Sequence, residues 1–255
     1  MSGDRGLSTT DAVSMILRAC RRILANEERL SALDAACGDG DHGVSMARGF
    51  RAVAVKLESE VYESPAALLR AVGMTLVSSI GGATGPLMGT LFLEAGKALA
   101  GGGASPGAGR GSPAGGAGAS AAGHASPAGG VDTRSLAAAF RGGLEGVRRR
   151  GGAAPGEKTM VDALLPAVEA LEAAAEAADP PNAALARAAR AARAGAEATS
   201  GMVARQGKAR YLGQRAVGHE DAGANSIAFI FEAFAEDEEG PREGRRGPAE
   251  EEDPT

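Results

Sequence analysis

The chain has 255 residues, a length that suits one domain or at most two. Its net charge of -5 argues against a general nucleic-acid binder, and no apolar run approaches the roughly 20 residues of a membrane span. Two cysteines are too few for a disulfide framework, and the N-terminus lacks the basic-then-apolar run of a signal peptide. The sequence therefore predicts a cytoplasmic protein that binds neither nucleic acid nor membrane.

The composition favours helices over strands. The hydrophobic fraction is 44%, yet aromatic residues are only 3% and Trp is absent, while alanine is abundant. Ala and Leu favour helices, whereas aromatic and β-branched residues favour strands. We therefore expect an all-α protein with small side chains where its helices touch.

Apolar residues at helical spacing predict a bundle of about eight amphipathic helices and no strand. In chain order, the predicted helices begin near Thr10 and near Leu30, and continue over residues 44–58, 64–79, 87–100, 132–150, 159–178, 181–204 and 224–235. The loops between them are rich in Gly, Asp and Thr. An antiparallel bundle can bring such loops together at one end.

Two segments lack the pattern of a packed domain. Residues 101–131 are almost wholly Gly, Ala, Ser and Pro, and cannot bury enough apolar surface to offset their ordering entropy. Residues 236–255 hold nine acidic and three basic side chains, which leaves the rest of the chain nearly neutral. We expect one helical domain formed by residues 1–100 and 132–235, with a low-complexity insert between them and a disordered acidic tail.

The most distinctive local sequence is an acidic, glycine-rich loop. Asp34, Asp39 and Asp41 lie within eight residues, and carboxylates this close repel one another unless a cation joins them. All-oxygen ligands suit Mg²⁺ or Ca²⁺, but an EF-hand loop beginning at Asp39 would place Phe50 at its acidic twelfth position. The residues alone leave two alternatives, a magnesium site or a solvated turn.

The residues around this loop indicate phosphate binding. His42 to Ser45 open a helix, whose N-terminus offers free N–H groups and a positive dipole. A second glycine-rich turn, Gly81–Gly85, allows the backbone to approach an anion, although a tight helix–helix turn is the alternative. Because Glu157 interrupts the string closest to a P-loop, a phosphate site here requires another scaffold.

Four motifs lie in register along the chain. They are Gly38-Asp39-Gly40-Asp41-His42-Gly43, residues 82–90 (GATGPLMGT), residues 156–164 (GEKTMVDAL), and the paired strings at 207–213 (GKARYLG) and 218–224 (GHEDAGA). Together they resemble the L-subunit family of bacterial dihydroxyacetone kinases over roughly residues 8–235. The resemblance implies a barrel of eight antiparallel helices with nucleotide and Mg²⁺ at one end.

The resemblance also implies roles for individual residues. Asp34, Asp39 and Asp41 match three aspartates that hold two Mg²⁺ ions. The positions that match contacts to ADP or ATP are His42, Gly43, Val44, Ser45, Ala83, Thr84, Gly151, Met160, Lys208, Asp221, Ala222 and Gly223. Lys208 stands where the family usually has Arg, and Ala222 where it usually has Pro. No residue is assigned as a nucleophile.

The resemblance implies a phosphotransfer subunit that acts with partners. In this family, bound ADP accepts a phosphoryl group from an M-type phosphocarrier of the sugar phosphotransferase system and passes it to dihydroxyacetone on a separate K subunit. Three alternatives stay open: the nucleotide subunit of an ATP-dependent dihydroxyacetone kinase, that of a fatty-acid kinase, or a non-enzymatic Mg²⁺-binding interaction protein. His42 favours the dihydroxyacetone branch, since the fatty-acid branch typically has Thr there. A homodimer is also left open.

Overall fold

The computed structural model describes residues 6–101 and 130–236, which are predominantly helical. Within these ranges the α-helices are α1 Thr9–Ala25, α2 Glu27–Cys37, α3 His42–Ser59, α4 Pro65–Ser79, α5 Thr84–Ala100, α6 Thr133–Gly151, α7 Val161–Glu176, α8 Pro181–Ala198 and α9 Ala222–Ala235. A 3₁₀ helix covers Thr199–Gly201, and a second 3₁₀ helix, Lys208–Ala216, is kinked at Gly213. The all-α prediction is confirmed. The predicted insert and acidic tail lie, apart from their edges, outside the described residues.

Eight of these helices form a closed ring. From α3 to α9 each helix packs against the next, α9 packs against α1, and α1 packs against α3. The ninth, α2, follows α1 after Asn26 alone and packs against α3 and α9. The ring is the barrel of about eight helices that was predicted, with α2 as one helix more.

Neighbouring helices in the ring run in opposite directions. Gly151 at the end of α6 lies beside Leu87 near the start of α5, whereas Gly142 lies beside Ala98 near the end of α5. The same alternation places the N-termini of α3, α5, α7 and α9 at one end of the barrel. The loops that carry the sequence motifs are therefore collected at that end.

Short polar side chains fix where several helices begin. Ser8 and Asp11 form a reciprocal capping box at the start of α1. Ser64 accepts a hydrogen bond from the Ala67 amide at 3.2 Å, with Pro65 as the first residue of α4. Asp132 accepts one from the Ser135 amide at 2.7 Å. Each cap satisfies an amide that has no partner within its own helix.

Small residues line the helix contacts, as the composition predicted. Ala163 and Ala167 of α7 and Ala188 and Ala192 of α8 are fully buried. A Cβ on Gly195 of α8 would lie 2.3 Å from a backbone oxygen of α7, which is less than any van der Waals separation. The core is therefore built by close approach of backbones as well as by large side chains.

Gly143→Ala is expected to lower the free energy of unfolding by about 1–3 kcal/mol, because the added methyl group overpacks the contact between α5 and α6. Its Cβ would lie 2.7 Å from Leu91 Cδ1 and 2.8 Å from the Leu91 carbonyl oxygen. Urea unfolding followed by circular dichroism measures the change. Gly142→Ala is the matched control, since its nearest neighbour would be Ala98 Cβ at 3.2 Å. Equal losses for the two variants would contradict this account.

The fourth loop region differs from its prediction. A helix was expected over 181–204 and an irregular turn after it, but α8 ends at Ala198 and a 3₁₀ helix covers Lys208–Ala216. The Thr199 carbonyl accepts hydrogen bonds from the Met202 amide and from the ammonium of Lys158, so it does not continue the α-helical hydrogen bonds.

None of the described helices combines the length and apolar character needed to cross a membrane.

Candidate functional site

The first loop brings its three carboxylates together at the N-terminus of α3. Asp34 lies in the last turns of α2, and Asp41 directly precedes α3. One oxygen from each of Asp34, Asp39 and Asp41 lies within 4.8 Å of the others. The turn needs a residue with positive φ, which Gly40 supplies at +78°. Asp34 also accepts a hydrogen bond from the His42 amide at 3.2 Å, which fixes the carboxylate beside the helix.

This donor set fits Mg²⁺. Three carboxylates from a flexible turn offer hard oxygen ligands, and a Mg²⁺ ion would hold them at about 2.0–2.1 Å each. The Lys208 ammonium already contacts Asp39 and lies 3.9 Å from Asp41, so a cation is accommodated at the rim of the cluster. The hydrogen bond from Lys208 lowers the pKa of Asp39, which keeps that carboxylate ionised.

Three helix N-termini at the same end of the barrel present unpaired amides. In the part of the chain that the structure describes, the first-turn amides without a hydrogen-bond partner include those of Gly43, Val44, Thr84, Gly85, Ala222 and Gly223. These amides belong to α3, α5 and α9, whose dipoles point their positive ends the same way. The arrangement suits an anion with several charged oxygens, such as a di- or triphosphate.

The side chain of His42 joins α3 to α9 through a hydrogen bond. Its Nε2 lies 2.8 Å from the Ser226 hydroxyl, and both side chains are buried. The Ser226 hydroxyl also lies 3.1 Å from the Ala222 carbonyl oxygen, so His42, Ser226 and the backbone of α9 form one buried hydrogen-bonded chain. Burial lowers the pKa of His42, which favours the neutral ring.

The third loop is shaped by a carboxylate that the sequence analysis did not single out. Asp162 accepts hydrogen bonds from the amides of Thr159, at 2.8 Å, and of Gly156. The Thr159-x-x-Asp162 spacing is a capping-box pattern at the start of α7, so a signal was present in the sequence. Glu157 adds a bond to Gln206 at 3.1 Å and thereby joins the third loop to the fourth.

Lys158 also joins the third loop to the fourth, and to the residue that follows α8. Its side chain is 2% exposed, and its ammonium donates to the carbonyls of Thr199, at 2.7 Å, and of His219. The residue holds a positive φ of 63°, which is uncommon for a side chain other than Gly or Asn. Burial lowers the pKa of Lys158, and the two carbonyls compensate for its desolvation.

The remaining predicted site residues lie along the same end of the barrel. Ala83 and Thr84 form the N-terminus of α5. Gly151 ends α6, and its Cβ would lie 3.0 Å from a methyl group of Leu87. Met160 precedes α7, and its Cβ is 3.5 Å from the position of a Cβ on Gly223. Ser45 lies in the first turn of α3.

Asp221 caps α9 and is the most perturbed acid of the site. Its side chain accepts a hydrogen bond from the Ala224 amide at 2.7 Å, and its own amide donates to Thr199 Oγ1 at 2.8 Å. Burial raises the pKa of Asp221 to about 6, although the amide bond and Lys158 act in the opposite direction. The ionised form is therefore costly in the folded protein without a cation.

Asp221→Asn is expected to gain stability over the wild type, in metal-free protein, as the pH rises from 4 to 7. The folded pKa of Asp221 is raised, so the stability linked to its protonation is complete below pH 3.8 and lost as the pH rises through about 6. Asparagine retains the capping oxygen without the charge. Between pH 4 and 7, urea titrations in the presence of EDTA should show the free energy of unfolding of Asp221→Asn rising by about 1–3 kcal/mol relative to that of the wild type.

Asp132→Asn is the matched control for that titration, because Asp132 also caps a helix. Its hydrogen bonds from Ser135 lower the pKa of Asp132, so its contribution is present above pH 3.8 and lost as the pH falls. From pH 4 to 7 the stability difference between Asp132→Asn and the wild type should therefore stay nearly constant, whereas that between Asp221→Asn and the wild type should change. A pH-independent difference between Asp221→Asn and the wild type would contradict the assignment.

Comparisons with known proteins agree on one family. The DAK2 domain family matches residues 36–236. The ADP-binding subunit DhaL of the PEP-dependent dihydroxyacetone kinase of Escherichia coli is 37% identical, over 90% of this chain and 97% of that subunit. The ADP-binding subunit DhaL of the PTS-dependent kinase of Lactococcus lactis is 31% identical, over 84% of this chain and 90% of that subunit.

A solved structure supports the same assignment at the level of fold. The dihydroxyacetone kinase of C. freundii, crystallised in complex with AMP-PNP and Mg²⁺, superposes with a TM-score of 0.63 at 28% identity. The match covers 92% of this chain but 35% of the C. freundii chain, so this chain spans about a third of that protein. With the family match and the DhaL relatives, the conclusion is that the chain belongs to the DAK2 domain family, together with the DhaL subunits of dihydroxyacetone kinase.

Proposed function

We propose that this chain is the nucleotide-carrying subunit of a cytoplasmic dihydroxyacetone kinase. In this proposal ADP stays bound to the chain, receives a phosphoryl group from a phosphocarrier of the sugar phosphotransferase system, and donates it to dihydroxyacetone on a separate K subunit. The domain that holds the nucleotide is formed by residues 1–100 and 132–235, which the low-complexity segment interrupts.

The observation that carries the proposal is the position of the carboxylate cluster beside unpaired helix N-termini. The cluster lies directly before α3, and the first-turn amides of α3, α5 and α9 are at the same end of the barrel. Binding of a nucleoside diphosphate with Mg²⁺ needs both features. The metal neutralises part of the phosphate charge, and the helix amides donate hydrogen bonds to phosphate oxygens. A metal-binding interaction protein would have no use for the amides.

Each part of the site has a role in this proposal. Asp34, Asp39 and Asp41 hold two Mg²⁺ ions, which when bound neutralise phosphate charge and orient the phosphoryl group. The positions that contact the nucleotide are those from His42 to Ser45, Ala83, Thr84, Gly151, Met160, Lys208, and those from Asp221 to Gly223. Lys158 and Asp162 fix the loops that carry these contacts.

Little covalent chemistry is required of the protein. Phosphoryl transfer needs positioning and electrostatic stabilisation, and helix N-termini supply both without moving. The buried, neutral His42 is bonded to Ser226 and is a poor candidate for a phosphoenzyme. The side chains of the site therefore act as ligands and supports.

The relatives whose names include PEP or PTS dependence guide the choice of partners. This chain matches 97% of the length of the E. coli subunit, at 37% identity, and 90% of the length of the L. lactis subunit, at 31% identity. We therefore propose a K subunit and an M-type phosphocarrier as partners. A homodimer of this chain is the simplest alternative assembly to test alongside them.

Reconstitution with the K and phosphocarrier subunits of the same organism tests this function. The measurement is the formation of dihydroxyacetone phosphate, with either phosphoenolpyruvate and the general phosphotransferase proteins or ATP as the donor. We expect phosphoenolpyruvate to support turnover and excess ATP to add little. Turnover with ATP alone, in the absence of the phosphocarrier, would instead favour an ATP-exchanging kinase.

A further inference from the structure

The side chain of Lys208 supplies a positive charge at the edge of the acidic cluster. Lys208 is the first residue of the second 3₁₀ helix, and its ammonium contacts Asp39 Oδ2 and lies 3.9 Å from Asp41 Oδ2. Lys208 is 169 positions from Asp39 in the sequence, so the fold brings it to the two aspartates. Without a metal ion, the Lys208 ammonium thus neutralises part of the negative charge of the three carboxylates.

A lysine ammonium and a magnesium ion cannot both use the same carboxylate oxygens at close range. Mg²⁺ requires direct coordination at about 2.0–2.1 Å, whereas the ammonium occupies a hydrogen-bonding position on Asp39. Two cations in contact with one small cluster repel each other, and the divalent ion gains more from the carboxylates. Entry of the metal therefore favours departure of the lysine.

The two glycines that flank Lys208 and its neighbours are loosely packed, whereas the residues between and after them are partly anchored. Gly207 and Gly213 flank residues 208–212, and both hold positive φ values, +62° and +54°. A Cβ at either glycine would have nothing within 4 Å, so neither is packed against the body of the barrel. Ala209, Leu212 and the fully buried Ala216, in contrast, pack with Cys37, which anchors the residues that follow Lys208 to the end of α2.

We propose that Lys208 is the counter-ion of the carboxylate cluster in the metal-free protein, and that Mg²⁺ displaces it. The metal and the lysine exchange on the same carboxylates, so metal binding releases the Lys208 side chain from the first loop. The inference rests on the proposed function for the identity of the metal. It adds that Lys208 ties the fourth loop to the carboxylates of the first loop before the metal binds and no longer does so afterwards.

Amine labelling tests the exchange directly. The full-length chain, freed of nucleotide, is treated briefly with an N-hydroxysuccinimide ester of acetic acid, with and without Mg²⁺ at constant ionic strength. Mass spectrometry then gives the labelling rate of each lysine. Mg²⁺ alone is expected to raise the rate at Lys208 several-fold. A rate that stays constant or falls while calorimetry records Mg²⁺ binding would overturn the proposal.

Two other lysines serve as internal controls. Lys56 pairs with Glu60 at 2.7 Å and Lys97 lies 3.7 Å from Glu94, and neither glutamate belongs to the cluster. Their rates should not respond to Mg²⁺. In Asp39→Asn, Lys208 should label rapidly even without Mg²⁺, because its hydrogen-bond partner is no longer charged.

Calorimetry with Mg²⁺ alone provides the second test. Lys208→Gln removes the competing ammonium and should bind Mg²⁺ several-fold more tightly than the wild type. Arg210→Gln removes the same charge from the same segment, but the recorded contacts of Arg210 are with Tyr211, and its affinity should stay near that of the wild type. Equal affinities for the two variants would overturn the proposal. Binding of ADP in the presence of Mg²⁺ is measured separately, and its absence would count against the function instead.

Discussion

Asp41→Asn is expected to raise the dissociation constant of the protein for ADP, measured with Mg²⁺, at least about 100-fold. Asparagine keeps the shape of the side chain but removes one of three carboxylate ligands. The Asp41 side chain is 67% exposed and makes no capping hydrogen bond to α3, so folding does not depend on it. Calorimetric titration of nucleotide-free protein measures the affinity.

The stability of Asp41→Asn shows whether weaker binding of ADP comes from the loss of a metal ligand or from unfolding of the protein. Its urea midpoint without metal should equal that of the wild type or rise slightly, because one repulsive carboxylate has gone. Glu28→Gln is the control, since it removes a surface charge from the first turn of α2, outside the cluster. If the affinity for ADP is unchanged in Asp41→Asn, or is equally weakened in Glu28→Gln, the carboxylate cluster is not part of the nucleotide site.

Lys158→Met is expected to lower the free energy of unfolding by about 2–4 kcal/mol. Methionine fills most of the same volume, but the carbonyls of Thr199 and His219 lose their shared donor in a buried setting. The ammonium's own desolvation cost disappears with it, which keeps the loss below the sum of two buried hydrogen bonds. Urea unfolding followed by circular dichroism at 222 nm measures the difference.

Lys56→Met is the control for that experiment. Lys56 makes an exposed ion pair with Glu60 one helical turn away, so its loss should change the free energy of unfolding by less than about 1 kcal/mol. We also expect Lys158→Met to release bound nucleotide faster, because one of the contacts that join the third and fourth loops is lost. A Lys158→Met protein as stable as Lys56→Met would contradict this role.

Features set by local chemistry could be predicted from the sequence. The Ser64–Pro65 helix start depends on a side chain and amides a few residues away. The acidic loop could be predicted for the same reason, because Asp34, Asp39 and Asp41 are close in sequence before they are close in space. The family resemblance then supplied what local patterns cannot, namely that the helices close into a ring.

Features set by contacts distant in sequence could not be predicted. Nothing near Lys158 indicates that two carbonyls 41 and 61 positions away will accept hydrogen bonds from its ammonium. The pairing of Lys208 with Asp39 has the same origin, since it depends on how the barrel closes. The end of α8 was misplaced because apolar spacing continues past Ala198, while the Thr199 carbonyl is drawn into the bond with Lys158.

The central claim is that the barrel end holds ADP through Mg²⁺. The most direct measurement is to purify the chain without added nucleotide, in buffer with Mg²⁺, denature it, and identify the released nucleotide by chromatography. The account predicts ADP in a near-stoichiometric amount from the wild type and little from Asp41→Asn. A wild-type protein that releases none, and takes up none when ADP and Mg²⁺ are added, would contradict it.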